Sequence, residues 1–293
     1  MNGTKVIPAS FILFKPSGGK VSLIFVGEDS GTIKVMSDRK IEVGSILLSS
    51  LQEKFLVERQ EKNFFFLLPP ERMKLGNNIS LPDFYAFLER EGRTPLPPYI
   101  KTDLSEEEAR EEYQTVFAKE KGSMAAPTAS LHFTEELMNK LKSEGHEIVF
   151  LTLHVGLGTF ARLSEKELSE GKLHKEYYSI PLSSAEIISA AKKSGRPIIA
   201  VGTTVMRALE SAFNEMGDFV KPEGETDIFI REGYRFKVAN GLITNFHVPK
   251  SSLMMLVSAF TGREKLLKLY REAIEAGFRL FSFGDGMLIK NRL

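Results

Sequence analysis

Cysteine is absent from all 293 residues. This excludes a disulfide framework and thiolate chemistry, fits a reducing compartment, and removes the commonest zinc-site signature. Five histidines leave a histidine–carboxylate metal site open, but no metal is assigned. Long apolar runs are missing too. The longest candidate, Leu253 to Phe260, falls far short of the ~20 residues that span a bilayer. No positive segment followed by an apolar run opens the chain, so a secretory signal is not expected and the cytoplasm is. Neither charge sign is in surplus, with 39 basic against 38 acidic residues. That argues against indiscriminate nucleic-acid binding and leaves room for a local basic patch that docks one RNA. Hydrophobic and charged contents of 42% and 26% are those of a globular chain, long enough for two domains.

Two grammars divide the sequence. From about Phe11 to Leu68 short alternating runs are separated by turn residues. They are Val21 to Val26, Thr32 to Met36, Ser45 to Leu48, Lys54 to Val57 and Asn63 to Leu68, the pattern of a small β-barrel or sandwich. Pro69-Pro70 interrupts it, and Leu81 to Arg90 reads as a short amphipathic helix. From Arg93 strands alternate with helices. Helices are expected at 105–119 (Ser105 as N-cap), 134–145, 183–194, 204–215, 250–260 and 263–276, and strands at 147–154, 197–201 and 241–246. A hairpin-like stretch covers 227–238. No internal repeat is evident. Alternating β and α elements imply a mostly parallel sheet or barrel. The expected organisation is an α/β barrel-like main domain (1–10 and 91–293) interrupted by a smaller antiparallel β-barrel (11–90).

Three strands end in polar or glycine motifs: His154-Val155-Gly156-Leu157-Gly158-Thr159, Gly202-Thr203-Thr204, and Asn245-Phe246-His247 through Ser251. Ligands of α/β folds bind at the carboxyl ends of strands, so these motifs should converge on one mouth. Strand alternation puts Thr152 with His154 on one face and Asn245 with His247 on another. Each histidine could equally be a core residue satisfied by backbone. The Gly-Thr-Thr junction opens a helix carrying Arg207 and Glu210, an arrangement suited to an anion. Arg207 could instead pair with Glu210, and Thr203 could be a plain N-cap. Pro127, Thr128 and His132 precede the helix at 134–145. Asp227 suits a ribose or base contact or an Asx-turn. Asp285, between two glycines, suits a turn or a ligand contact in equal measure. The helix containing Met254 to Val257, apolar nearly all round, reads as core.

Together the segments RTPLPPYI (93–100), YQTVFA (113–118), APTASLHFT (126–134), LHVGLGTF (153–160), VGTTVMRALES (201–211), TDIFI (226–230), LITNFHVPKSSLMMLVSAF (242–260) and FSFGDGMLI (281–289) resemble the S-adenosylmethionine:tRNA ribosyltransferase-isomerase family of queuosine biosynthesis. NGTKVIPA (2–9) resembles a motif of the same family. The resemblance implies transfer and isomerisation of the ribosyl part of S-adenosylmethionine onto 7-aminomethyl-7-deazaguanine at the tRNA wobble position. Epoxyqueuosine-tRNA, adenine and methionine would be the products. It implies an α/β barrel interrupted by a small β-barrel, with a further segment ahead of the Asn2 motif, so a shortened form is expected. Gly3, Ser130, Ala161, Gly171 and Asn240 depart from residues usual in the family.

On this resemblance, S-adenosylmethionine is a co-substrate, no cofactor is needed, and the partner is tRNA; a monomer free of membrane is expected. His154 and His247 are candidates for acid/base work in unassigned order. Arg207, the third catalytic candidate, would bind the methionine carboxylate or a tRNA phosphate with Thr203 and Thr204. Gly156 and Gly158 would admit the nucleoside, and Asp227 would contact ribose or base. Thr128, His132, Thr159, Asn245 and Asp285 complete the substrate-binding set. Two alternatives stand beside this reading: an RNA-binding protein of the same fold with reduced or lost turnover, and an unrelated phosphate-binding α/β-barrel enzyme.

Overall fold

The computed structural model describes residues 1–97, 100, 102–156 and 163–290. The chain forms two compact units, one of Met1–Lys5 with Tyr113–Leu293 and one of Val6–Glu112. The sequence reading placed the borders at 10/11 and 90/91; by packing they lie at 5/6 and 112/113. The first strand, β1 (Thr4–Val6), runs across the 5/6 border.

The small unit contains β2 (Ser10–Phe14), β3 (Lys20–Asp29), β4 (Thr32–Ser37), β5 (Ile46–Leu48), β6 (Lys54–Glu61), β7 (Phe64–Leu68), the two-residue strands β8 (Lys74–Leu75) and β9 (Asn78–Ile79), α1 (Leu81–Glu91), β10 (Gly92–Arg93) and α2 (Glu106–Glu112). All its strand pairs are antiparallel. The order β2-β3-β4-β7-β6-β5 closes through a β2–β5 contact at Phe14 and Leu48, making a barrel. Register shifts at Phe25/Gly27 and Val57/Arg59 supply the bends that closure requires. Alternation sends Val21, Leu23 and Phe25 of β3 inward. The α1 helix adds Phe84 and Phe87, which meet Phe11, Phe25 and Phe55 at ring separations of 5.0–6.3 Å, contacts worth about 0.5–1.5 kcal/mol each beyond area burial.

The main unit continues with β11 (Glu120–Ser123), a 3₁₀ turn (Thr128–His132), α3 (Glu135–Ser143), β12 (Thr152–Leu153), α4 (Glu165–Glu170), β13 (Lys172–Ser179), α5 (Leu182–Lys193), β14 (Ile199–Val201), α6 (Thr203–Ala212), β15 (Glu223–Ile228), β16 (Gly241–Asn245), α7 (Ser252–Thr261), α8 (Arg263–Glu275) and β17 (Gly286–Lys290). It is mixed α/β, with sheets β1-β11, β12-β13-β15 and β14-β16-β17. Among the described residues no helix is long and apolar enough to cross a membrane.

Several expectations are corrected. The sheets are not mostly parallel: β14–β16 is parallel, as is an isolated bridge between Asn2 and Leu151, whereas β12–β13, β13–β15 and β16–β17 are antiparallel. Two consecutive helices, α7 and α8, bring the chain back so that β17 runs antiparallel to β16, whereas a single crossover helix gives a parallel return. The helix expected at 105–119 ends at Glu112, the border of the small unit. Ser105 does cap it, accepting from Glu108 N–H at 3.3 Å while its own N–H reaches the Glu108 carboxylate. The strand expected at 147–154 is reduced to Thr152–Leu153 plus the bridge at Leu151, because the preceding backbone bonds to the N-terminal segment. No hairpin forms at 227–238. Instead β15 pairs with β13, whose charged sequence KLHKEYYS hid it.

Candidate active site

The parallel pair sets the site. Val201 faces Ile243, and Gly202 N–H donates to the Ile243 carbonyl at 2.8 Å. The two strands therefore end side by side, presenting Thr203 and Thr204 on one and Asn245 on the other. Gly202 takes φ 97°, a conformation glycine adopts without strain, and turns the chain into α6 with no side-chain cap. The first N–H groups of α6 thus keep the positive end of the helix available to an anion.

The 3₁₀ turn lies against the second strand end. Thr128 Oγ1 donates to Asn245 Oδ1 at 3.0 Å, and Asn245 Nδ2 approaches His132 Nε2 at 3.3 Å and the Gly284 carbonyl at 3.4 Å. Gly286, opposite Asn245 in the β16–β17 ladder, leaves space that a Cβ would take at 3.0 Å from His132 Nε2. Thr128, His132 and Asn245 are therefore brought together.

Asn2, fully buried, ties this group to the end of β12. Its Nδ2 donates to the Leu153 carbonyl at 2.9 Å and Thr204 Oγ1 at 3.1 Å. Its Oδ1 accepts from the N–H groups of Leu153 at 3.1 Å and Thr4 at 3.2 Å, so its amide is fully used.

Beyond Leu153 stands His154, half-buried, with Nδ1 at 2.8 Å from Thr4 Oγ1 and its ring stacked on Tyr177. A Cβ on Gly122 would lie 2.9 Å from the imidazole, so this glycine lets the ring seat against the β11 backbone. Burial lowers the His154 pKa, opposed in part by the charge of Glu120, and the ring is neutral at pH 7. Thr4 serves either tautomer. It donates to a bare Nδ1, or accepts from Nδ1–H while turning its own proton toward the Glu120 carbonyl at 3.5 Å.

Arg207 finds a partner other than the one the sequence offered. Its Nη1 bonds to Glu176 of β13, and both side chains are 4% exposed. Glu176 Oε1 also accepts the Gly156 N–H at 2.9 Å, so one carboxylate joins the glycine motif to α6. Removing either partner of such a pair costs about 3–5 kcal/mol. Arg207 Nε and Nη2 are buried and meet no hydrogen-bond acceptor among the described residues, an arrangement that costs about 1–3 kcal/mol per group unless a ligand satisfies it. Glu210 does not pair with Arg207. Its carboxylate accepts from Tyr234 OH at 3.1 Å and from the N–H groups of Lys237 at 2.8 Å and Val238 at 3.1 Å, fixing the segment after β15.

Three expected residues have partners elsewhere. His247 was placed on the Asn245 side of its strand, but β16 ends at Asn245 and alternation no longer governs the next residues. His247 Nε2 turns back to Thr244 Oγ1 at 2.7 Å, and its N–H donates to Tyr270 OH at 2.6 Å. It keeps some surface exposure, yet burial lowers its pKa to about 4. No described contact joins it to His154. Asp227 pairs with Lys172 at 3.4 Å across β13 and β15. Asp285 closes its own loop, accepting from Arg279 N–H at 2.7 Å and Nη2 at 3.2 Å, which holds its carboxyl below the usual range. Gly158 and Thr159 lie outside the described residues.

Sequence reasoning missed Asn2, Thr4 and Glu176 as site residues. For the first two, no local pattern signals a partner about 150 positions away. Glu176 left a trace: it shares the inward phase of β13 with Tyr178, a charged residue at a core position.

Residues 1–289 match the family model described as "Queuosine biosynthesis protein". A protein of Natranaerobius thermophilus named S-adenosylmethionine:tRNA ribosyltransferase-isomerase is 43% identical, with 99% of this chain and 83% of the relative covered. The protein of that name from Thermus thermophilus is 45% identical, covering 98% and 82%. A crystal structure of an S-adenosylmethionine tRNA ribosyltransferase from Thermotoga maritima is 26% identical, covers 98% of this chain and 80% of its own, and superposes with a TM-score of 0.46. With identities of 41–45% across nearly its whole length, this chain belongs to the queuosine biosynthesis enzymes of the S-adenosylmethionine:tRNA ribosyltransferase-isomerase family.

Proposed function

We propose that the enzyme transfers the ribosyl part of S-adenosylmethionine to 7-aminomethyl-7-deazaguanine at the wobble position of tRNA and isomerises it, yielding epoxyqueuosine-tRNA, adenine and methionine. The observation that carries this reading is the family match over residues 1–289, which spans every residue of the site. The geometry supports the demands of the reaction. A base must take a proton from the ribose carbon beside the sulfonium, which acidifies it. We assign this to His154, neutral at pH 7 and oriented through Nδ1 by Thr4. Tyr177, stacked on His154, brings an aromatic face near, and such faces attract a sulfonium. Arg207 with Thr203 and Thr204, at the positive end of α6, binds an oxyanion: the methionine carboxylate or a tRNA phosphate. Gly156 admits the nucleoside with its N–H anchored on Glu176. His247 remains the second acid/base candidate, and Thr128, His132 and Asn245 bind substrate beside it. No cofactor besides the co-substrate enters this scheme.

The test is adenine production from S-adenosylmethionine with tRNA carrying 7-aminomethyl-7-deazaguanine. Release of adenine together with modified tRNA is expected. Binding of that tRNA without adenine release would make the chain an RNA-binding member of the fold without turnover, and the proposal would fail.

A further inference from the structure

We propose that the Nε–Nη2 edge of Arg207 is the seat of the methionine carboxylate of S-adenosylmethionine, with Glu176 as the residue that holds the guanidinium in place. This rests on the function proposed above and decides between the two oxyanions left open there. On that edge of a guanidinium the two N–H bonds point the same way, the geometry that grips one carboxylate through both oxygens. Both atoms are buried without an acceptor among the described residues, while Nη1 is taken by Glu176. The unpartnered edge is therefore the one suited to a planar oxyanion. Thr203 lies four residues earlier on the same face of α6, and the helix end adds its own positive field.

Burial and shape select a small-molecule carboxylate over a tRNA phosphate. The Arg207 side chain is 4% exposed. A terminal carboxylate brings only three heavy atoms to so buried an edge, whereas a tRNA phosphate would have to carry its flanking sugars inward with it. The Glu176 carboxylate, equally buried, already neutralises the guanidinium. A carboxylate and a phosphodiester would each add a single negative charge, so shape makes the choice: one planar carboxylate with two oxygens matches two parallel N–H groups and takes less room than a tetrahedral group. Glu176 also anchors Gly156, so the carboxylate seat and the glycine motif proposed to admit the nucleoside are held by one side chain. The two ends of one substrate are thereby kept in fixed register.

Calorimetric titration with S-adenosylmethionine and with its decarboxylated analogue, each with an anticodon stem-loop present, tests this on the unaltered protein. Charge-assisted hydrogen bonds of this kind predict binding roughly 10- to 100-fold weaker for the analogue. Arg207→Lys should weaken S-adenosylmethionine by about tenfold or more. It should leave the analogue and the stem-loop within about twofold, since neither uses the fork. Equal affinity for the two ligands overturns the proposal, as does an Arg207→Lys loss confined to the stem-loop, which would assign the site to phosphate. The ligand comparison needs no variant, so it decides the matter even if Arg207→Lys fails to fold. Adenine release by the unaltered protein together with indifference to the carboxylate sinks this inference alone; absence of both binding and adenine release sinks the function as well.

Discussion

The two strand-end histidines look alike in sequence and differ in the folded chain. Each imidazole meets a threonine hydroxyl, His154 at 2.8 Å and His247 at 2.7 Å. His154 uses Nδ1 and its threonine comes from the N-terminal strand, about 150 residues away. His247 uses Nε2 and its threonine sits three residues back, on β16. The first arrangement orients the ring through Nδ1 and leaves Nε2, the outer nitrogen, without a hydrogen-bond partner among the described residues, with Gly122 packed against the ring. The second occupies that outer nitrogen with a local partner. The proposed base is therefore set apart from His247 by which nitrogen the scaffold takes and from how far the partner arrives.

The largest test of this contrast is turnover. His154→Ala should lower adenine release about 10²- to 10⁴-fold, the usual contribution of a positioned acid/base group, whereas His247→Gln should cost at most about tenfold. Equal losses would erase the distinction, and near-normal rates in both would remove histidine from the chemistry. Next comes the scaffold around His154, built on long-range buried ties. Glu176→Ala should lower unfolding free energy by about 3–5 kcal/mol in denaturant titrations by leaving Arg207 buried and unpaired. A loss under ~1 kcal/mol would mean that solvent reaches the pair.

The His247 side should instead be visible in the pH dependence of stability. Its folded pKa, about 4, lies below the unfolded value of about 6.5. Between those values the unfolded chain binds more protons, so stability is complete above about pH 6.5 and falls as pH drops toward 4. The loss should be on the order of 2–3 kcal/mol. Thermal melts from pH 7 to 4 should show a shallower decline in His247→Gln than in the parent; identical slopes would mean the ring does not titrate with folding. His154, also lowered but more exposed, should contribute less to that slope. The smallest effect belongs to Thr4→Val, which removes the hydroxyl behind His154. We expect about a tenfold drop in kcat with a stability change near ~1 kcal/mol, the worth of one hydrogen bond. An unchanged kcat would show that the ring needs no orienting partner.

The small barrel was readable because its physics is local. Alternation of Val21, Leu23 and Phe25 marks one wall, and the amphipathic stretch Leu81 to Arg90 supplies the phenylalanines that pack on it. The glycine and threonine motifs at strand ends were readable for a similar reason, since Gly202 at φ 97° is required by the turn itself. Strand β13 was not, because its inward phase carries Glu176, whose burial makes sense only with Arg207 opposite. Asn2 and Thr4 gave no local sign, since their hydrogen-bonding groups are satisfied by partners distant in sequence.

By itself, then, the sequence determined the division into two kinds of structure, the secondary elements with strong periodicity, and the family, because these rest on local patterning and on motifs kept in order. Only the tertiary structure decided which strands pair, which carboxylate holds Arg207, and which nitrogen of each histidine the scaffold takes. Those outcomes depend on buried polar groups finding complementary partners across long stretches of chain. Desolvation makes each such pairing costly to omit, and local sequence does not encode where the partner will come from.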